Sequence, residues 1–190
     1  LLKMLNTKEI VIGHNHRFGK NRAAAVDDLK HFGNIYDFGV TQINPQQLDN
    51  ISISSTKIRI ALSAGDIKTA NSFLGHPFTL TGTVVEGHKK GRTIGFPTAN
   101  ITLENADKII PKGGVYTAKV KMIDKWYLGM LNIGTNPTVN GQQQSIELHI
   151  IGWSGNLYDQ RIQVALLDRI RDEVKFDSMA ELQEQLEKDK

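Results

Sequence analysis

The stretch Gly114-Val115-Tyr116-Thr117-Ala118-Lys119-Val120-Lys121-Met122-Ile123 alternates between apolar and polar side chains from Tyr116 onward. Successive side chains of a β-strand point to opposite sides, so this alternation predicts a half-buried strand. Its apolar face would consist of Tyr116, Ala118, Val120 and Met122. Asp124-Lys125 predicts a tight turn into a second strand over Trp126–Gly134, which makes an antiparallel hairpin.

Working outward, the sequence shows further strand-like stretches on both sides of this hairpin. They are Phe78–Gly87, Ile101–Leu103, Ser145–Trp153 and Arg161–Asp168. Six strands joined by short turns, with no helix between them, predict a closed antiparallel β-barrel. Ser178-Met179-Ala180-Glu181 is a capping box and predicts a C-terminal helix. The apolar stripe of this helix, Met179, Leu182 and Leu186, is predicted to pack on the barrel.

The first 75 residues have a different, α/β pattern. The end of a helix is predicted over residues 1–9, followed by strand Glu9–Gly13, helix Arg22–His31 with its stop at Gly33, strand Asn34–Ile43, and helices from Thr56 to Ala64 and from Asp66 to Leu74. We place the domain boundary at His76-Pro77, which gives domains 1–75 and 76–190. Two strands are too few for a Rossmann-like domain, and position 1 is Leu, so we expect the chain to begin inside a larger protein.

The composition limits the classes of function. The 190 residues include no cysteine, which excludes disulfides, thiolate catalysis and Cys-ligated zinc and favours a cytoplasmic location. The net charge of +3, from 23 basic and 20 acidic residues, is weak evidence for an anionic ligand and does not predict a nucleic-acid partner. Apolar runs stay well below the roughly 18 residues that span a bilayer, so no membrane partner is predicted.

A basic, glycine-bearing loop, Gly87-His88-Lys89-Lys90-Gly91-Arg92, leads into Thr93-Ile94-Gly95-Phe96-Pro97-Thr98-Ala99-Asn100. Glycines let the backbone approach a ligand closely, and the basic side chains suit a polyphosphate. Thr98 and Asn100 are two positions apart, so in an extended segment their oxygen atoms would face the same way, as ligands of a hard cation such as Mg²⁺. The alternative is a surface hairpin with a solvated run of charge.

The strand around residue 147 carries a second candidate. Ile146, Leu148 and Ile150 would share one face, which leaves Glu147 and His149 on the other. A carboxylate in mid-strand can act as a general base toward an alcohol, or it can be an exposed position or half of a salt bridge. The remaining histidines do not have the spacing of a metal site, and we assign His76 and Trp153 to structure.

The run Gly95–Asn100 resembles the signature of riboflavin kinases, and the resemblance extends over residues 76–190. It includes Gly114-Val115-Tyr116, Gly129–Gly134 with Asn136-Pro137-Thr138, Ile146–His149, Leu157-Tyr158 and Ile170–Phe176. The resemblance implies transfer of a phosphoryl group from ATP to riboflavin to give FMN. It implies that Thr98 and Asn100 bind Mg²⁺ and ATP phosphate and that Glu147 is the catalytic base.

The same resemblance assigns Gly87 and Arg92 to the loop over ATP. It makes Tyr158, Arg171 and Phe176 candidates for contact with riboflavin or FMN. As alternatives, the two aromatic residues serve only in packing, and Arg171 pairs with Asp172 or Glu173.

Ile53-Ser54-Ser55-Thr56-Lys57-Ile58-Arg59 resembles a signature of the nucleotidyltransferases found in bacterial FMN adenylyltransferases (FAD synthetases). Ser54 or Ser55 is a natural N-cap, and with Arg59 the same helix start could bind phosphate. Gly13–Gly19 resembles the flavin-side loop of these enzymes, from which His14 and His16 depart. A His-x-Gly-His motif is absent, so residues 1–75 are interpreted as part of such a domain. FAD synthesis is then expected only with further N-terminal sequence.

The resemblance as a whole is to bacterial bifunctional riboflavin kinase/FMN adenylyltransferases, with ATP and riboflavin as small-molecule partners. Two rival hypotheses remain. One is a non-catalytic barrel that binds flavin or nucleic acid through its basic loop. The other is a fragment without kinase activity whose role is assembly.

Overall fold

The computed structural model describes residues 2–14, 16–48, 51–87, 91, 94–138 and 141–190. The chain divides into two compact units, Leu1–Ile53 and Ser54–Lys190. The sequence-based boundary at residues 75/76 separates two family resemblances and stays a prediction.

The first unit contains a parallel strand pair with a helix between the strands. Its elements are α1 (Leu2–Leu5), β1 (Glu9–Gly13), the 3₁₀ turn Lys20–Arg22, α2 (Val26–Tyr36), β2 (Gly39–Ile43), β3 (Gln47–Leu48) and β4 (Ile51–Ser52). β1 and β2 pair in parallel from Glu9↔Gly39 to Gly13↔Ile43, and β3 pairs with β4 in antiparallel fashion. The predicted strand–loop–helix–strand order is confirmed.

The predicted limits of α2 are wrong. The helix begins at Val26 rather than Arg22, and it continues through Gly33 to Tyr36. Gly33 is a buried close-packing position, because a Cβ there would lie 2.6 Å from the carbonyl oxygen of Phe38. The helix ends instead at Asp37, which adopts a left-handed conformation with φ of 55°. The following strand therefore starts at Gly39 and not at Asn34.

The second unit contains the predicted barrel. Its strands are β5 (Phe78–Val85), β6 (Ala99–Leu103), β7 (Gly114–Met122), β8 (Lys125–Thr138), β9 (Gly141–Ile150) and β10 (Arg161–Arg171). Within the described residues these six strands form a closed barrel in the order β10-β5-β6-β9-β8-β7, and every neighbouring pair is antiparallel. β8 ends later and β9 begins earlier than predicted, because the two strands continue to pair from Thr135↔Gln144 to Thr138↔Gly141. β9 ends at Ile150 rather than at the predicted Trp153.

The inside of the barrel is the apolar core. Tyr116, Leu131, Ile133 and Leu148 are at most 1% exposed, and they alternate along their strands with outward positions. This is the alternation that the sequence predicts for half-buried strands, and it is confirmed on β7, β8 and β9.

Two helices precede the barrel in the second unit, α3 (Ser55–Ala64) and α4 (Ile67–Leu74). Their buried faces, including Leu62 and Ile67, join the barrel core. Asn71 connects α4 to two strands, since its Nδ2 donates to the Leu166 carbonyl at 2.9 Å and its Oδ1 accepts from the Phe78 N–H at 2.6 Å. The helices are thus fixed where β5 begins and beside β10.

The strand register sets one row of residues across the barrel. Arg171 pairs with Val115, Val115 with Asn132, Asn132 with Glu147, and Glu147 with Asn100. Adjacent strands are about 4.8 Å apart, so each step along the row is short. The row runs over five neighbouring strands and includes three of the candidate site residues, Arg171, Glu147 and Asn100.

The C-terminal helix α5 (Met179–Asp189) begins as predicted. Ser178 Oγ accepts from the Glu181 N–H at 3.2 Å, and Glu181 accepts from the Asp177 N–H at 3.3 Å rather than from the N-cap residue itself. Met179 is 41% exposed, so the predicted packing stripe is reduced to the half-buried Leu182 and Leu186. In the part of the chain that the structure describes, no helix is long and apolar enough to span a bilayer.

The β7–β8 hairpin contains a backbone conformation that an isoleucine rarely adopts. Ile123 has φ of 53° and its side chain is 86% exposed. Because a β-branched residue is disfavoured in the left-handed region, we expect Ile123→Asn to stabilise the protein by about 0.5–1 kcal/mol. Thermal or urea unfolding measures the change. Ile123→Val, which keeps the strain, serves as the control; an asparagine variant that is no more stable than the valine variant contradicts the expectation.

Candidate active site

The carboxylate of Glu147 lies beside the hydroxyl of Thr98. Thr98 Oγ1 donates a hydrogen bond of 3.2 Å to Glu147 Oε2, and both side chains are half-buried. Ile146 and Leu148 point into the core at 5% and 1% exposure, so Glu147 faces outward between them. The structure therefore brings together the carboxylate and the hydroxyl that the sequence selects separately.

Two contacts with His149 hold the segment before β6 in this position. The Phe96 and His149 rings lie 5.1 Å apart, and Phe96 is only 3% exposed. His149 Nδ1 donates to the Pro97 carbonyl oxygen at 2.9 Å. His149 shares its strand face with Glu147, so β9 carries both the carboxylate and the residue that fixes Thr98 near it. The sequence predicts that His149 shares a strand face with Glu147, but it does not predict the contacts of His149 with Phe96 and Pro97.

The amide of Asn100 lies close to the backbone of Gly87. Asn100 is the register partner of Glu147, and a Cβ built on Gly87 would lie 1.8 Å from Asn100 Nδ2. Gly87 therefore leaves space that the Asn100 amide fills. Gly91 has a similar role, because its carbonyl accepts from the Phe96 N–H at 3.0 Å and a Cβ there would lie 2.2 Å from the Phe96 carbonyl oxygen.

Part of the predicted phosphate loop lies outside the described residues. This applies to His88, Lys89, Lys90, Arg92 and Thr93, so the predicted ATP contact of Arg92 stays a prediction.

A cavity of about 520 Å³ opens beside Thr98. It is bounded by the inward sides of β5, β6 and β9 and by the loop that leads to β10. Its lining residues include Val84, Thr98, Leu148, Trp153, Leu157 and Tyr158. Pockets of about 300–1,000 Å³ with mostly apolar walls are typical of small-molecule sites. Trp153, which we assign to structure from sequence, thus also forms a wall of this cavity.

Tyr158 and Arg171 lie at opposite ends of β10. Tyr158 is in the loop just before Arg161, the first residue of the strand, and Arg171 is its last residue. A strand of that length spans about 30 Å, so one ring system does not contact both side chains. The structure groups Tyr158 with Thr98 and the cavity, and it groups Arg171 with Phe176, whose ring centroid lies 5.8 Å from the guanidinium carbon.

Arg171 is paired with Asp189 in α5, and not with the Asp172 or Glu173 carboxylates that the sequence offers as partners. Its Nη2 lies 2.7 Å from Asp189 Oδ2, and its Nη1 donates to the backbone oxygen of Asp172 at 3.1 Å. A pairing over 18 positions gives no local sequence signal.

The carboxylate of Asp172 has other partners. Arg169 Nη2 lies 2.7 Å away and Lys112 Nζ 3.3 Å away, and these hydrogen bonds hold the pKa of Asp172 below its usual range. The neighbouring Tyr116 hydroxyl donates to the Lys112 carbonyl, and burial raises the pKa of this tyrosine. These contacts tie the start of β7 to the end of β10.

Glu173 lies against β8. A Cβ on Gly134 would be 2.3 Å from Glu173 Oε1 and 3.3 Å from Asn132 Nδ2. Asn132 is the other register partner of Glu147. The segment after β10 therefore approaches the barrel one strand away from Glu147, a contact that the sequence does not predict.

The second predicted phosphate site is at the start of α3. Ser54 caps the helix, with its Oγ accepting from the Lys57 N–H at 3.3 Å, while Ser55 is the first helical residue and Arg59 is exposed. The structure thus shows Ser54 as the N-cap of α3, and the binding of an anion at this helix start stays a prediction.

Thr98, Asn100 and Glu147 offer a hydroxyl, an amide oxygen and a carboxylate, the donor types that Mg²⁺ prefers. Asn100 is held by the glycine-lined space described above, so these residues fit such an ion. Within the described ranges, no group of three His, Cys, Asp or Glu side chains has the arrangement of a metal site. An ion bound here would therefore depend on substrate phosphates for part of its ligand set.

The fold and these side chains define a closed antiparallel barrel with an outward carboxylate beside a hydroxyl and an amide side chain. A riboflavin kinase family model matches residues 74–190, and an FAD synthetase model matches residues 1–57. The bifunctional riboflavin kinase/FMN adenylyltransferase of Escherichia coli K12 is 40% identical over the whole chain, which covers 60% of that protein. The protein of that name from Listeria monocytogenes is 39% identical over 99% of the chain and 60% of its own length.

The chain belongs to the riboflavin kinase family. It spans about 60% of the length of the curated relatives that it matches. A crystal structure described as a macrolide-efflux protein from Streptococcus pneumoniae also matches, with 38% identity, a TM-score of 0.87, and coverage of 99% of this chain and 60% of that one.

The close approach of Gly87 to Asn100 makes a specific prediction. If Asn100 binds ATP phosphate, as the family resemblance predicts, Gly87→Ala should displace its amide and raise the KM for ATP by about tenfold or more. In an Asn100→Ala background the obstructing atoms are gone, so the same alanine should have little additional effect. Steady-state kinetics of the two single variants and the double variant measure this coupling. Additive effects would show that the two positions act separately.

Proposed function

We propose that this chain transfers the γ-phosphoryl group of ATP to the 5′-hydroxyl of riboflavin, which gives FMN and ADP. The observation that supports this most directly is the position of Glu147. It lies between Thr98, at the edge of the cavity, and Asn132, beside the segment that follows β10. A base between a nucleotide site and an acceptor site is what transfer to an alcohol requires.

The nucleotide is proposed to occupy the cavity. Its base would lie between the apolar walls, with Trp153 and Tyr158 as aromatic surfaces, and its phosphates would extend toward Thr98 and Asn100. The family resemblance assigns Gly87 and Arg92 to the loop over these phosphates. The shared cavity supports Tyr158 as a nucleotide-side residue rather than the flavin contact suggested by family resemblance.

Mg²⁺ is proposed to be held by Thr98 and Asn100 together with the ATP phosphates. When bound, it neutralises charge on the transferred group. The chain's own part is to hold the two oxygen ligands rigidly, through the contacts of Phe96 and Pro97 with His149.

Glu147 is proposed to accept the proton of the 5′-hydroxyl as that oxygen attacks the γ-phosphorus. The Thr98 hydroxyl orients the carboxylate by donating to Oε2. The flavin would then lie on the other side of Glu147, toward Phe176 and the end of β10. A positioned general base contributes about 10²–10⁴-fold to a rate.

FMN adenylyltransferase activity is proposed only for a longer chain that also contains the N-terminal sequence expected of such a domain. In such a chain, Ser54, Ser55 and Arg59 would bind phosphate at the start of α3. A cytoplasmic location, and partners limited to small molecules, likewise remain predictions.

The base assignment is tested by replacing Glu147. Glu147→Gln and Glu147→Ala are expected to lower kcat for FMN formation by about 10²–10⁴-fold, since the proton acceptor is lost. Products of a reaction with riboflavin, ATP and Mg²⁺ are separated by chromatography. Glu104→Gln is the matched control, because the Glu104 carboxylate pairs with Arg161 at 2.6 Å and is not among the residues that line the cavity.

Normal turnover in both Glu147 variants would remove this residue from the mechanism. Riboflavin binding by the wild type without ATP turnover would favour the non-catalytic barrel, and FAD among the products would contradict the restriction placed on adenylyltransferase activity.

A further inference from the structure

The end of β10 and the end of α5 are joined by a buried ion pair. Arg171 Nε lies 3.0 and 2.9 Å from the two carboxylate oxygens of Asp189, and Nη2 lies 2.7 Å from Oδ2. The side chain of Asp189 is 2% exposed and that of Arg171 is 18% exposed. Gln185 Nε2 also donates to Asp189 Oδ1 at 2.8 Å, so both carboxylate oxygens are bonded.

The burial distinguishes this pair from another on the same helix. Lys188 and Glu184 also lie 2.7 Å apart, but their side chains are 64% and 70% exposed. Exposed pairs contribute little because water competes for both charges. A buried charge must be compensated by its partner, and removing one member leaves the other unpaired in a poorly solvated place. Asp189 therefore constrains Arg171 far more than Glu184 constrains Lys188.

The ion pair closes a loop of the chain. Residues 172–178 have no helix or strand, and α5 then leads back to Arg171. Within this loop, Arg171 Nη1 bonds the Asp172 carbonyl, and the Phe176 ring lies near the guanidinium. Glu173 reaches the Gly134 position beside Asn132. The closed loop thus borders the outer face of the barrel one strand from Glu147, on the side away from the cavity.

We propose that Asp189 is a positioning residue for flavin binding, which acts through Arg171 to hold residues 172–178 against β8. This inference rests on the proposed riboflavin kinase function and deepens it. Arg171 then serves the flavin site chiefly by shaping the loop. The proposed ATP side does not depend on this pair, because Thr98, Asn100 and the cavity are built from β5, β6 with the segment before it, β9 and the loop before β10.

The test compares Asp189→Asn with Glu184→Gln, which removes the charge of the exposed pair on the same helix. Asp189→Asn is expected to raise the KM for riboflavin by about tenfold or more, with the KM for ATP changed by less than about twofold. Asp189→Glu, which keeps a carboxylate, should recover part of the riboflavin affinity. Glu184→Gln should match the wild type.

Two measurements that need no turnover accompany the kinetics. Quenching of flavin fluorescence gives the riboflavin affinity, which should fall in Asp189→Asn. Amide hydrogen exchange over residues 172–189 should become faster in that variant and stay unchanged in Glu184→Gln. Circular dichroism monitors folding. If Asp189→Asn does not fold, Asp189→Glu replaces it in the test. An Asp189→Glu variant that folds like the wild type but binds riboflavin more weakly supports the proposal.

The outcomes separate this proposal from the function on which it rests. Wild-type FMN formation with unchanged riboflavin binding and exchange in Asp189→Asn overturns the positioning role alone. Equal rises in both KM values also overturn it, since they indicate a general structural effect. A wild type that neither binds riboflavin nor forms FMN overturns both proposals.

Discussion

Closure of the six-stranded sheet is the constraint on which the rest of the structure depends. In a closed barrel every strand has one side toward the core, so the inward residues must be apolar and the outward ones are available for chemistry. Leu131 and Leu148 point into the core. Their sequence neighbours Asn132 and Glu147 therefore point outward, where the register pairs them. The register then places Asn100 next to Glu147 from a strand that is distant in the chain. The site is therefore a consequence of alternation and register together, and a one-residue slip of β9 would turn its carboxylate toward the core.

The two proposed substrate sites are built from different kinds of structure. The proposed nucleotide side is built on strands and on a short segment that His149 fixes through a ring contact and a hydrogen bond. The proposed flavin side follows the last strand and lacks regular structure over residues 172–178, so it depends on long-range side-chain contacts. The ion pair of Arg171 with Asp189 is buried, with side chains that are 18% and 2% exposed. This difference suggests that changes near α5 affect flavin binding before they affect nucleotide binding.

Much of the barrel could be predicted from sequence because period-two alternation is a local signal, and Glu147 could be singled out as a carboxylate on the outward face of such a strand. The limits of α2 could not, since Gly33 has the sequence appearance of a helix stop and only the fold shows that it is a packing position. The partner of Arg171 was missed for a related reason: nearby acidic residues are plausible partners, and the true one, Asp189, comes from a separate helix. The sequence makes Tyr158 a ligand candidate, which stays a prediction, but it does not show that this residue lines the cavity beside Thr98.

The arrangement of ATP site, base and flavin site is tested most directly by a crystal structure of the protein with Mg²⁺, ADP and FMN. The account predicts the adenine of ADP in the cavity beside Tyr158 and the flavin against residues 172–178. It also predicts the 5′-oxygen of FMN within hydrogen-bond reach of Glu147, about 2.6–3.2 Å from its carboxylate. A flavin ring in the cavity, or a 5′-oxygen far from Glu147, would contradict it.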